Sequence, residues 1–412
     1  MLEKRTLLHR VVLLALVLIL AVPLLVACGG DNQKTPTPTP TPRLTLTLTP
    51  TPTATSTVTP FGPVKIGIIA PWSGPGAMTG IALVDPVVKL VEQQVKDQGG
   101  ILGGREVKLI KYDNRMAVAE STAGAIKLIL DNKVSALALG GNSRGELDAV
   151  VAVAEEKHVF FAALGYVTGL ANLKFTVNAG TTLESFSDAQ ILAATKLVKA
   201  KTAAILATDV GDMHELASIN KRQMQEAGIE LVYEQYTPLA TNDYTPFLTK
   251  IKFEKPDVLF LDESNIETNV TIAKQIMELG GWDNIKVLAI PGGANAAKLP
   301  GADGWYIAAR WYPGLPYPGA MKLEKDYQSM FGSLPSANLV YFYDPIWTVI
   351  KAIELAGTDT DLEKIAQVAR SGNLEWETPE GHAHFTPDGV SGLVMNLALI
   401  EGKKLVSVTI PE

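Results

Sequence analysis

From residue 64 onward, short apolar runs alternate with amphipathic stretches, and this alternation constrains the fold more than any other feature of the chain. Apolar strands interleaved with amphipathic helices are typical of α/β proteins whose parallel sheets are covered on both faces. Two runs of about four strands predict two such domains rather than one very wide sheet. The predicted strands are Val64–Ala70, Val107–Tyr112, Ser135–Leu139, Val159–Ala162, Phe175–Asn178, Ala203–Ala207, Glu230–Tyr236, Val258–Leu261 and Val287–Ile290. The predicted helices are about 81–98, 117–130, 146–157, 183–199, 214–227, 246–253 and 268–279.

Length and charge narrow the class of protein. A chain of 412 residues with 47% hydrophobic side chains is long enough for two cores. The net charge of −7, without a local run of Lys or Arg, argues against nucleic acid as a partner. One cysteine excludes an internal disulfide, and one cysteine with five histidines leaves few metal ligands.

Residues 1–27 are typical of a secretory signal peptide. Lys4, Arg5 and Arg10 precede an apolar run from Val11 to Val26, and a small residue follows. The end of the run, Leu25-Val26-Ala27-Cys28, resembles the lipobox of bacterial lipoproteins, which implies cleavage before Cys28 and lipid attachment to its sulfur. The alternatives are an uncleaved anchor, or ordinary secretion with an unused thiol. No later apolar run approaches the thickness of a bilayer, so the rest of the chain is expected outside the membrane.

Residues 28–63 are expected to form a lipidated Cys28 followed by a Thr/Pro-rich linker. From Thr35 the segment is nearly all Thr and Pro, which favours extended polyproline II and cannot bury enough apolar area to pack. Such a spacer would hold a folded module away from the membrane.

Several segments of the folded part resemble type I periplasmic solute-binding proteins of ABC importers, in the leucine/isoleucine/valine-binding group. The segments keep the order and spacing of that family over about 64–400. They are Val64–Pro75 (VKIGIIAPWSGP), Gln98–Arg105 (QGGILGGR) followed by Tyr112-Asp113-Asn114, the helix from Phe342-Tyr343-Asp344 to Glu354-Leu355-Ala356-Gly357, and Phe385–Gly389 (FTPDG).

The resemblance implies two doubly wound Rossmann-like lobes, joined by three crossover strands, that close on a small ligand. Lobe 1 is expected at 64–180 with 309–375, and lobe 2 at 181–308 with 376–412. Independently of the family, ligands of open parallel sheets bind beyond the carboxyl ends of the strands. This rule predicts that loops 71–80, 140–145, 163–168 and 208–214 line the cleft, facing loops near 262–265 and 291–294.

The segment Gly140–Gly145 leaves the third strand and opens a helix, which predicts a carboxylate site. Free backbone N–H groups and the positive end of the helix dipole favour an anion, with Asn142 and the Ser143 hydroxyl as further candidates. In the resembling family a serine at the corresponding position performs this role. The alternative is that Ser143 or Asn142 only caps the helix. We expect Ser143→Ala to weaken carboxylate binding with little loss of stability.

Further candidate contacts follow other strands. Leu164 and Tyr166 stand where the family usually has small residues and Ser or Thr, and Tyr166 offers stacking or a hydrogen bond. Trp72 leaves the first strand and offers an apolar wall, or else simple lobe packing. Trp311-Tyr312 is interpreted as hinge packing.

Amino-acid binders also need a carboxylate for the ammonium group. In the family it often lies in a segment resembling 290–295, where this chain has Gly292. By topology the substitutes are Asp209, Asp262 and Glu263, each of which is alternatively a solvated or capping acid.

No catalytic or metal motif accompanies these candidates. Gly-x-Ser-x-Gly is absent, and an enzyme or a cofactor is not expected. His382 and His384 would share one face of a strand, but no further histidine lies nearby, and a surface loop is the simpler interpretation.

The sequence therefore predicts a monomeric lipoprotein anchored at the cell membrane through Cys28. It would capture a small polar or carboxylate-bearing solute, of branched-chain amino acid type or a related acid or amide, and deliver it to ABC permease subunits. The alternative is a ligand-sensing ectodomain of the same fold that reports to a membrane signalling protein. An extracellular enzyme on the same lobes is a third, less supported hypothesis.

Overall fold

The computed structural model describes residues 62–410, except 166, 168, 264, 265 and 291–298, and gives only the backbone of 266 and 267. The predicted signal peptide, Cys28 and nearly all of the predicted linker therefore lie outside the described residues. Tyr166 and the loop near 291–294 do so as well.

The first sheet contains five parallel strands in the order β2-β1-β3-β4-β5. The internal strand β1 buries every residue except Lys65, as its mostly apolar sequence predicts. Burial of each Val or Ile contributes about 1.5–3 kcal/mol, so an internal strand of this composition is strongly favoured at this position. The strands are β1 (Val64–Ala70), β2 (Val107–Asp113), β3 (Ala136–Leu139), β4 (Phe161–Ala163) and β5 (Thr176–Asn178).

Helices connect these strands, as the alternating pattern predicts. After β1, a 3-10 turn (Gly74–Gly76), the short helix α1 (Ala77–Thr79) and a π turn (Gly80–Val84) continue into α2 (Asp85–Asp97). Then follow α3 (Val118–Leu130), α4 (Arg144–Lys157) and a 3-10 turn (Leu170–Asn172). Helix α4 begins two residues before the predicted start, because Ser143 provides its cap.

The second sheet contains seven strands in the order β14-β13-β10-β9-β8-β6-β7. Five of them are parallel, but β13 pairs antiparallel with β10, and β14 with β13. The sequence did not predict these two antiparallel strands, which form because the end of the chain returns to the sheet as a hairpin. The strands are β6 (Thr202–Thr208), β7 (Glu230–Thr237), β8 (Val258–Asp262), β9 (Lys286–Ala289), β10 (Tyr306–Ala309), β13 (Asn396–Glu401) and β14 (Lys404–Ser407).

The helices of the second sheet also follow the predicted order. They are α5 (Leu183–Leu192) with a π turn (Ala193–Val198), α6 (Gly211–Ala227), α7 (Thr245–Glu254) and α8 (Ile266–Leu279).

After β10 the chain returns to the first sheet. It forms α9 (Pro318–Phe331), a 3-10 turn (Ala337–Leu339), α10 (Val340–Ala356) and α11 (Leu362–Ala369), and α10 packs on β3 and β4. A separate hairpin of β11 (Glu375–Thr378) and β12 (Gly381–His384) packs against α9 and α10. The chain thus passes between the two sheets after β5, after β10 and before β13. The residue boundaries of the two lobes stay a prediction.

One helical stretch in the described part of the chain, Gly74–Asp97, reaches the length and mean hydropathy (1.2) of a membrane span. By length and composition alone, this stretch contradicts the expectation that no apolar run after Cys28 is long enough to span a bilayer. Its side chains Val87, Leu90 and Val91 are buried in the core that covers the first sheet, which is the ordinary position of an amphipathic core helix.

Candidate ligand-binding cleft

A cavity of about 410 Å³ lies at the carboxyl ends of strands from both sheets. Thr79, Asn142 and Leu164 line it from the loops after β1, β3 and β4. Val210 and Ile290 line it from the segments after β6 and β9. The structure thus brings described residues from all four predicted cleft loops, 71–80, 140–145, 163–168 and 208–214, together at one site. The volume suits a small solute.

Most of the cavity wall is apolar, with a small number of polar side chains. Arg310, Trp311 and Tyr341 contribute from the segments that connect the sheets. The lining consists of Thr79, Leu83, Asn142, Leu164, Leu183, Phe186, Val210, Asp212, Met213, Leu216, Ile290, Ala308, Ala309, Arg310, Trp311, Ala337, Asn338, Tyr341 and Phe342.

Two of the predicted contact residues, Asn142 and Leu164, line the cavity. The Asn142 side-chain amide donates a hydrogen bond to Thr79 Oγ1 at 3.2 Å. This contact joins the loops after β1 and β3. Tyr166 lies outside the described residues.

Ser143 is the N-cap of α4 and lies outside the cavity lining. Its hydroxyl accepts from the Glu146 N–H at 3.4 Å, and the two residues form a capping box. The buried Glu146 carboxylate accepts in return from the N–H groups of Asn142 (2.6 Å) and Ser143 (2.9 Å). The predicted carboxylate site in this segment therefore has two of its N–H groups occupied by a carboxylate of the chain itself.

Trp72 also lies outside the cavity lining. Its indole N–H donates to Asp85 at 2.8 Å, and the Lys111 amino group lies 5.3 Å from the ring centroid. The side chain is half-buried and fixed against α2, the arrangement that its packing alternative describes.

The three candidate acids lie outside the cavity lining as well. Asp209 is exposed and bonds His214 at 2.7 Å. Asp262 is fully buried and accepts from Gln190 (2.9 Å) and Asn220 (3.0 Å), and burial raises its pKa to about 7. Glu263 is buried between the hydroxyls of Thr208 and Thr237, and burial raises its pKa.

Sequence reasoning missed Arg310, which lines the cavity. Its Nε donates to Glu380 Oε1 at 2.6 Å, Nη2 lies 2.5 Å from the same oxygen, and Asp344 Oδ2 lies 3.5 Å from Nη2. Tyr341 stacks on the guanidinium, 4.2 Å from ring centroid to Cζ. A charged residue directly after the apolar strand β10 was the available signal. Trp311, interpreted as hinge packing, also lines the cavity.

Burial and charge both act on this cluster. Burial, and then the neighbouring Glu380, raise the pKa of Asp344 well above its usual range. Burial alone would lower the pKa of Arg310, but Glu380 outweighs it and the pKa is raised. Arg310 therefore keeps its charge, and Glu380 is the carboxyl group closest to it.

A second ion-pair group connects the two sheets at the cleft. Arg144, at the start of α4, lies 2.7 Å from Asp212 and 3.3 Å from Glu215, both on α6. Asp212 itself lines the cavity.

No group of three metal-ligating side chains suited to a metal ion occurs among the residues whose placement the structure describes. His382 and His384 share the exposed face of β12, as predicted, and face Glu375 and Glu377 across the hairpin.

Two doubly wound α/β lobes with a solute-sized cavity at their facing strand ends define the class of type I periplasmic binding proteins. The chain belongs to the periplasmic binding protein family, whose model matches residues 63–404. Proteins of this family are solute-binding proteins, and membership implies an extracytoplasmic location.

The sequence is also similar to a curated relative. Leu/Ile/Val-binding protein homolog 6 of Brucella suis biovar 1 is 23% identical over 337 residues, which cover 79% of this chain and 84% of the relative.

Solved structures share the fold. A leucine binding protein from Thermotoga maritima has a TM-score of 0.70 at 21% identity, covering 84% of this chain and 98% of that one. A branched-chain amino acid transporter substrate binding protein from Streptococcus pneumoniae, in complex with isoleucine, has a TM-score of 0.69 at 18% identity, covering 85% of this chain and 100% of that one. An ABC transporter solute binding protein from Rhodopseudomonas palustris, in complex with 4-hydroxybenzoate, has a TM-score of 0.71 at 23% identity, covering 84% of this chain and 96% of that one.

Proposed function

We propose that this protein is the lipid-anchored solute receptor of an ABC importer, and that it captures a small polar or carboxylate-bearing solute by closure of its two lobes. The observation that carries the proposal is the cavity at the carboxyl ends of both sheets, with lining residues such as Asn142 from one sheet and Val210 from the other. A ligand in that position contacts both lobes only when they are close together.

Closure follows from differential affinity. A ligand that touches both lobes only in the closed form shifts the equilibrium toward that form, and the permease then recognises the closed surface. Arg144, Asp212 and Glu215 support such an arrangement, because their ion pairs join the lobes beside the cavity.

The solute class is supported by the character of the wall. Leu83, Phe186, Met213 and Trp311 suit an aliphatic or aromatic body, whereas Asn142 and Arg310 offer polar contacts. The relatives whose structures contain isoleucine or 4-hydroxybenzoate carry ligands of this size. A branched-chain amino acid, or a related acid or amide, is the class we propose.

Anchoring rests on sequence. The lipobox-like segment ending at Cys28, followed by the Thr/Pro-rich linker, supports a lipoprotein held at the outer side of the membrane by a spacer. The module is proposed to act as a monomer. The mass of the mature chain tests the anchor, since lipidation adds acyl chains to a chain that begins at Cys28.

The second candidate function is a ligand-sensing ectodomain that reports to a membrane signalling protein. The same cavity would serve it, so the chain itself does not separate the two roles. Co-purification distinguishes them, because an importer receptor binds permease subunits in its ligand-bound form, and a sensor binds a signalling partner.

The test combines binding with shape. Thermal unfolding should shift upward with a solute of the proposed class, since a ligand above its dissociation constant stabilises the folded state. Small-angle scattering of the same complex should show a smaller radius of gyration than the free protein. Binding without any change in the scattering curve would contradict closure, and turnover of the solute would contradict a receptor.

A further inference from the structure

The segment that opens α4 borders the cleft, and two of its backbone N–H groups already bind a carboxylate of the chain. Glu146 Oε2 accepts from the N–H groups of Asn142 and Ser143 at 2.6 and 2.9 Å, and Glu146 is fully buried. A ligand carboxylate would have to displace a group that is already tethered in place and loses no translational freedom on binding.

Arg310, the second arrangement that would attract an anion, is also occupied. Its guanidinium faces Glu380 Oε1 at 2.5–2.6 Å and has Asp344 Oδ2 3.5 Å away, and all three side chains are buried. A ligand carboxylate at Arg310 would be a third carboxyl group around one cation. Repulsion between like charges in a low-dielectric site opposes that arrangement.

Arg144 also has two carboxyl groups of the chain beside it. It contacts Asp212 on the cavity wall and Glu215 one turn further along α6. Each of these two arginines thus faces two carboxyl groups of the chain itself. A ligand ammonium group would also lack a partner, because Asp212 already pairs with Arg144 and the rest of the wall is mostly apolar.

The cavity wall still contains uncharged side chains that can form hydrogen bonds with a ligand. Thr79, Asn142 and Asn338 line it with hydroxyl and amide groups. Among the described residues, the buried Arg310 Nη2 lies 2.5 Å from Glu380 Oε1 but makes no hydrogen bond of acceptable geometry. A buried N–H donor without a well-placed acceptor is costly, and a neutral ligand oxygen would satisfy it without adding negative charge.

We propose that the solute is uncharged, with an apolar body and a carboxamide or comparable carbonyl group that accepts hydrogen bonds at Arg310 and Asn142. This inference rests on the proposed solute-receptor function and narrows its ligand class. The observations that carry it are the two internal carboxylates, Glu146 and Glu380, at the two positions where a ligand anion would bind.

Calorimetric titration of the unmodified protein with matched solutes tests the inference. Each series keeps one body and changes one group: isovaleramide, isovalerate and isoamylamine, and then benzamide, benzoate and benzylamine. We expect the amide of at least one series to bind at least about tenfold more tightly than its acid and its amine, the effect of one charged group placed against like charge. An acid or an amine as the tightest ligand in both series would overturn the proposal.

Substitution of Glu146 tests whether its carboxylate is what opposes the binding of acids. Glu146→Gln keeps the length of the side chain and an acceptor oxygen but removes the charge, so acids should gain about tenfold in affinity relative to the wild type. Glu156→Gln, an exposed position on the same helix, is the matched control and should leave acid affinity unchanged. Unchanged acid affinity in a folded Glu146→Gln protein would contradict the role of Glu146. If the Glu146→Gln protein does not fold, the calorimetric titration of the unmodified protein with the six solutes is the test of the proposal.

Failure of the inference can be told apart from failure of the proposed function. Tight binding of an acid with a decrease in the radius of gyration overturns the uncharged ligand and leaves the receptor function intact. No binding by any of the six solutes, with an unchanged scattering curve, contradicts the receptor function and the inference with it.

Discussion

Asp262 ends β8 without exposure to solvent, and burial raises its pKa to about 7. Hydrogen bonds from Gln190 and Asn220 act in the opposite direction but do not compensate for the lost hydration. Asp262 therefore joins α5, α6 and β8 rather than meeting a ligand. The contribution of Asp262 to the free energy of unfolding depends on pH, because its carboxyl group keeps a proton in the folded protein at pH values where the unfolded chain releases it.

The sign of this effect gives a prediction. Between pH 3.8, the ordinary pKa of the carboxyl, and about pH 7, the folded state binds more protons than the unfolded state. The free energy of unfolding that Asp262 contributes is therefore greatest below pH 3.8 and falls as pH rises toward 7, by at most about 4 kcal/mol. Asp262→Asn has no such proton, so its stability relative to the wild type should rise from pH 4 to pH 7. Urea unfolding across that range measures the difference, and parallel pH profiles would refute it.

At the scale of single elements, the start of α4 combines two roles that the sequence presented as alternatives. Ser143 caps the helix, and Glu146 three residues later closes the capping box. The carboxylate that stabilises the helix is the one that occupies the anion site, so the stability of α4 and the ligand preference of the cleft depend on the same contacts.

Ser143→Ala should therefore lower the free energy of unfolding by about 1 kcal/mol, the usual cost of a lost N-cap. This replaces the expectation of little change in stability. Ser143→Thr keeps a hydroxyl and should lose much less. Urea unfolding of the three proteins makes the comparison, and a Ser143→Ala protein as stable as the wild type would show that the cap contributes nothing.

The sequence predicted β1 correctly because five of its seven residues, all but Lys65 and Gly67, are Val, Ile or Ala, which leaves little choice of structure. It predicted the order of strands and helices for the same reason. It did not predict β13 and β14 at the antiparallel edge, nor the cluster of Arg310, Asp344 and Glu380. Those three residues are 34 to 70 positions apart, and only the return of the chain between the sheets brings them into contact. Local patterns predict elements, whereas a charge balance assembled from distant segments depends on the tertiary fold.

For the molecule as a whole, Arg144 provides a measurable link between the two sheets. Its contacts with Asp212 and Glu215 cross the cleft and are partly exposed, so they should favour the closed arrangement by at most about 1 kcal/mol. The apparent affinity of a ligand scales with the fraction of closed protein when only that form binds. Arg144→Met should therefore raise the dissociation constant by up to about fivefold.

The same variant should abolish part of the salt dependence of binding, because exposed ion pairs are screened. Lys157→Met removes another exposed ion pair, that with Glu156 at the far end of α4, without touching the second sheet. Titrations of both variants at low and high salt separate a contact across the cleft from a general loss of charge. Equal effects of the two substitutions would show that Arg144 does not bias closure, since of these two residues Arg144 alone contacts a helix of the second sheet.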